Sequence, residues 1–72
     1  MKQQVIQATF PNRAVARRAA GDLIRNNYHE EDVRIAISAA TGEALLSLTT
    51  ALGYADYAMH ILWHQGAIRI DQ

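Results

Sequence analysis

Apolar and polar residues alternate from Gln4 to Phe10, with Ile6, Ala8 and Phe10 on one side and Val5, Gln7 and Thr9 on the other. A period of two predicts a half-buried strand, and Pro11 ends it. Asn12 is placed to cap a helix, since its side-chain oxygen can accept from the free amides of a first turn. From Arg13 to Asn26 a step of about 100° per residue gathers Ala16, Ala19, Ala20, Leu23 and Ile24 into one stripe. Arg18, Asp22 and Arg25 fall on the far side, so the segment reads as an Ala-rich amphipathic helix. It should stop at Asn26 or Asn27, because Asn tolerates the left-handed conformation of a helix exit.

After the acidic connector His29, Glu30, Glu31, Asp32 the period returns to two, with Val33, Ile35 and Ile37 opposite Arg34, Ala36 and Ser38. A turn through Ala39, Ala40, Thr41, Gly42 and Glu43 leads to Ala44, Leu46 and Leu48, alternating with Leu45, Ser47 and Thr49, which predicts a hairpin. From about Gly53 to Gln65 a second helix is expected, with Ala55, Ala58, Met59 and Leu62 on one face and Asp56, His60 and His64 on the other. Gly66 stands where a helix stop belongs, and Ala67 to Asp71 gives a short fourth strand. The order strand, helix, strand, strand, helix, strand, with right-handed crossovers, predicts an α+β ferredoxin-like plait: four antiparallel strands in order 4-1-3-2 with both helices on one face. The expected core is Ile6, Ala8, Phe10, Ala16, Ala20, Leu23, Val33, Ile35, Ile37, Leu46, Leu48, Ala58, Leu62, Ile68 and Ile70.

Composition narrows the classes. Seventy-two residues make one domain, spanning 1–72, with a small core. Seven Lys plus Arg balance seven Asp plus Glu, which removes any general pull toward nucleic acid or an anionic surface. The absence of cysteine removes disulfides and thiolate chemistry and fits a cytoplasmic location. The first ten residues carry no signal-peptide centre, and no apolar run reaches the roughly 18 residues of a membrane span, so no membrane partner is expected.

Phe10, Arg13, Ala16, Ala20 and Leu23, then Asn27-Tyr28 and Asp32-Val33-Arg34-Ile35, resemble the first half of small bacterial general-stress-protein domains, the heat- and low-temperature-induced proteins. Gly42 to Leu48, then Ala58, Ile61, Leu62 and Gly66-Ala67-Ile68, are similar to that family's second half. The chain departs from the pattern at Asn27, where Gly is usual, and lacks the Gly-rich insert between the central strands. The resemblance implies a setting in stress response; it implies no catalytic residue and no ligand.

The sharpest chemical spacing is His60 and His64, four apart on the second helix, with Asp56 one turn earlier as a third potential metal ligand. The commoner use of such a stripe is a solvated face with a surface ion pair, and Ile61 stands where a metalloprotease helix needs Glu. Arg13, Arg17, Arg18 and Arg25 make the first helix basic, but the open sheet face offers no aromatic for base stacking, so RNA recognition is not expected. Ser38, Ser47, Thr49 and Thr50 lack a partnered His, and no Gly-rich phosphate loop exists. The expectation is a non-catalytic interaction or regulatory domain without a cofactor, acting as a homodimer or on a protein partner. Its alternative is a metal- or small-ligand-sensing module on the His60/His64 face. Val5, Leu45, Ala36 and Ser47 on the open sheet face, with Tyr57 and Trp63 on the second helix, are the expected interface.

Overall fold

A computed structural model describes residues 2–72. The described residues form β1 (Gln3–Phe10), α1 (Arg13–Arg25), β2 (Val33–Ile37), β3 (Ala44–Ala51), α2 (Ala55–His64) and β4 (Arg69–Asp71). Single 3-10 turns, Glu30–Asp32 and Leu52–Tyr54, lead into β2 and α2. The sheet order is β2-β3-β1-β4 with every pairing antiparallel, which is the expected plait.

β1 and β3 are the long central strands, in register from Gln3 opposite Ala51 to Phe10 opposite Ala44. Both have neighbours on either side, so their alternation translates into burial: Ile6, Ala8, Phe10, Ala44, Leu46 and Leu48 are fully buried, and Val5, Gln7, Leu45 and Ser47 line the open face. Local chemistry sets the helix ends. The Val15 amide donates to Asn12 Oδ1 at 3.0 Å, closing the first turn of α1. At its exit Asn27 takes the left-handed conformation (φ 73°), while the Asn27 and Tyr28 amides donate to the Ile24 and Leu23 carbonyls. Gly66 (φ 101°) repeats this two-bond closure at the end of α2, where Gly66 and Ala67 donate to Trp63 and Leu62. Asn27 therefore does what Gly does in the resembled pattern, since Asn is among the few side chains that visit this region readily.

The core differs from the expected set at the sheet edges and on α2. Ile37 and Ile68 are 39% and 55% exposed. Both point inward by parity, but Ile37 is the last residue of the edge strand β2 and Ile68 immediately precedes the edge strand β4, where fewer neighbours surround a side chain than in the central strands. Val33, Ile35, Ile70 and Ala20 are partly buried against the core rather than inside it. α2 is turned so that Ala55, Ala58, Ile61 and Leu62 are buried and Met59 lies at the margin. Ala16, Ala19, Ala55 and Ala58 face the sheet from the two helices, and their small size lets both backbones approach it closely.

Candidate functional site

Two concavities stand out, and they are built from different elements. The first is a groove of about 590 Å³ where α1 ends and α2 begins, lined by Tyr28, Tyr54, Tyr57, His29 and Asp32 together with Asn26, Asn27 and the ends of β1 and β3. The left-handed turn at Asn27 throws the chain back across the sheet end and brings Tyr28 to the start of α2. There the Tyr28 hydroxyl donates to the Tyr54 carbonyl at 2.7 Å, and the Tyr57 hydroxyl donates to Asn26 Oδ1 at 2.9 Å. Asn26 Nδ2 in turn donates to the Asp22 carbonyl at 2.8 Å. These bonds tie the two helices together over sequence separations of 26 and 31 residues.

Burial, and then the neighbouring Tyr57 and Tyr54 phenols, push the Tyr28 hydroxyl above its ordinary value of 10.0. The folded chain thus keeps this proton at a pH where the unfolded chain releases it. The stability it contributes is complete below pH 10.0 and is lost as pH rises through the folded value. Urea midpoints measured from about pH 9 to about pH 11 are expected to fall more steeply for the wild type than for Tyr28→Phe, which has no phenolic proton at this position. Parallel curves would remove Tyr28 as the titrating group.

The second concavity is an open trough between α1 and the free edge of β2. It is lined by Ala20 and Ile24 of α1 and by Val33, Ile35 and Ile37 of β2, with Arg13 and Arg17 towards one end and Glu30 at the other. The charges separate because α1 and β2 run in opposite directions: the start of α1 lies beside the end of β2. Ile24 and Ile37 are 40% and 39% exposed, so the trough is apolar along its floor.

The His60 and His64 rings stack on one another, with centroids 6.2 Å apart and planes 20° from parallel. Asp56 does not complete a ligand set with them: among the described residues no group of three or more His, Asp or Glu side chains could hold a metal ion. Helical spacing brings two side chains side by side, but a third ligand has to come from elsewhere, and both rings lie on the exposed face of α2. Ser38 is engaged in the hairpin turn, its Oγ accepting from the Thr41 amide, and Thr41 Oγ1 accepts from the Glu43 amide. These hydroxyls shape the turn. Among the described residues no helix is long and apolar enough to cross a membrane.

Of the expected interface residues, Val5 is half exposed and Ala36 exposed, while Leu45 and Ser47 are partly covered. Trp63 and Tyr57 are 52% and 53% exposed on α2, and Tyr57 belongs to the tyrosine groove. The open face and α2 lie on opposite sides of the sheet, so these six residues do not form one patch. No local pattern in the sequence announces the tyrosine groove; its one signal is a Tyr just after the first helix and two Tyr flanking the start of the second, Tyr28, Tyr54 and Tyr57. Comparison of the chain with protein-family models, with curated proteins and with solved structures finds no match.

Proposed function

We propose that the chain is a non-catalytic interaction domain that works as a homodimer, joined along the edge of β2. The observation that carries this reading is the apolar trough beside an unprotected edge strand, with opposite charges at its two ends. Sheet edges invite pairing unless they are short, charged or covered. The β4 edge is three residues long and carries an Arg69–Asp71 ion pair, whereas β2 offers Val-Arg-Ile-Ala-Ile with one charge.

A two-fold axis through Ile35 would pair β2 antiparallel with β2 of a second copy and extend the sheet across both chains. Val33 would then lie opposite Ile37 of the second copy. The same axis brings Glu30 of each chain to the end where Arg13 and Arg17 of the other lie, so the surface is complementary to itself, as a two-fold interface must be. The open sheet face is a weaker interface. Its large apolar residues, Val5 and Leu45, sit among Gln7, Thr9, Arg34, Ser47 and Thr49, a mixture ordinary for the solvated side of an antiparallel sheet. The setting in stress response is supported by the sequence resemblance and by no residue of the trough.

Sedimentation across dilution tests the reading. The wild type is expected to dimerise, Ile37→Lys to weaken the dimer by about tenfold or more, and Leu45→Glu to leave it unchanged. Arg17→Glu should weaken association and Glu30→Arg in the same chain should restore it. A chain that stays monomeric near millimolar concentration, or a dimer broken by Leu45→Glu and not by Ile37→Lys, overturns the edge interface.

A further inference from the structure

The tyrosine groove is a separate feature, sharing none of its lining residues with the trough. Its volume of about 590 Å³ is within the range of small-molecule sites. Three of its walls are phenol rings, Asp32 supplies a carboxylate, and among the described residues no Lys or Arg lines it. The hydrogen bonds at its rim hold these rings in place. The Tyr28 and Tyr57 hydroxyl protons are committed to the Tyr54 carbonyl and to Asn26 Oδ1, and one Asn26 amide proton to the Asp22 carbonyl. The Asn27 and Tyr28 backbone amides close the exit of α1. What the groove offers an occupant is three phenol rings, the Asp32 carboxylate and uncharged polar side chains, with no Lys or Arg among the described residues that line it.

From this we infer that the groove binds a small organic cation, an alkylammonium head held against the faces of Tyr54 and Tyr57 with Asp32 as its counter-charge. Ring quadrupoles attract such heads, and the attraction grows as the head is desolvated. The start of α2 lies at the same rim, and Asp56 in its first turn offsets the partial positive charge of the helix end. Tyr54 is 66% exposed, so its ring can close over an occupant without disturbing the core.

The test is an amide NMR titration with choline and with 3,3-dimethyl-1-butanol, its uncharged carbon isostere, at fixed ionic strength. Choline is expected to shift residues 26–29, 49–51 and 54–57 and to saturate, with the isostere weaker by about tenfold. Asp32→Asn should weaken choline several-fold, and Tyr54→Leu, a change at an exposed position, should abolish the preference for the charged ligand while the spectrum stays folded. A peptide carrying trimethyllysine, run in parallel, separates a head borne by a protein from a free one: tighter binding than choline assigns it to a protein, equal or weaker binding to a free amine. Equal affinity for choline and the isostere, shifts scattered over the chain, no saturation, or unchanged choline binding in both variants overturns the site. Because the trough lies elsewhere, dimerisation can fail without affecting this result.

Discussion

Phe10→Ala is expected to remove about half of the stability of the domain. Phe10 is the largest of the fully buried side chains and closes β1 opposite Ala44, where only a methyl group faces it across the ladder. Truncating a buried Phe costs about 3–5 kcal/mol, part lost transfer energy and part the cavity left behind. A domain of 72 residues has about 4–11 kcal/mol in total. Its neighbours are poorly placed to collapse into the gap, because Ala8 and Ala44 are short and held by strand pairing on both sides. The urea midpoint should drop with an unchanged slope, and the thermal midpoint by more than about 15 °C. Phe10→Leu, which keeps most of the volume, should lose less than half as much. A loss below about 1.5 kcal/mol for Phe10→Ala would show that the end of β1 contributes little to the cooperative core.

How far the chain could be read in advance follows from whether each feature is local. Strand alternation in β1 and β3 was legible because each central strand has a neighbour on either side and helices above, so period alone decides burial. Asn12, Asn27 and Gly66 were legible because capping depends on a few adjacent residues. The inward residues of β2 and β4 were legible only in direction. Whether Ile37 or Ile68 is covered depends on what surrounds an edge strand, which the strand's own pattern does not contain. The His60/His64 spacing correctly placed two rings together, and no spacing within one helix could supply the missing third ligand. The tyrosine groove lay furthest from a sequence reading, since its walls come from two helix ends, a connector and two strand ends that meet only after the sheet has formed.

The orientation of α2 yields the second large effect, a contrast between two isoleucines that the sequence pattern ranked the other way. Ile61 is 6% exposed and Ile68 55% exposed, although strand alternation puts Ile68 in the expected core and the helical stripe leaves Ile61 out of it. The reason lies in what each helix position meets. Ala55, Ala58 and Leu62 fix which stripe of α2 faces the sheet; Ile61 lies on the flank turned toward α1, between Tyr57 and Gln65, which reach Asn26 and Asp22, and Met59 lies on the opposite flank beside Gln72. Ile68 follows the Gly66 turn, and its amide joins the sheet by donating to the Thr9 carbonyl at 2.7 Å, so its backbone is fixed while its side chain stays largely in water. Ile61→Ala is therefore expected to cost about 2–4 kcal/mol, and Ile68→Ala less than about 1 kcal/mol. Paired urea denaturation of the two variants measures the difference directly. Similar losses would mean that β4 packs more deeply than its exposure indicates, and a larger loss for Ile68→Ala would require α2 to be turned toward Met59.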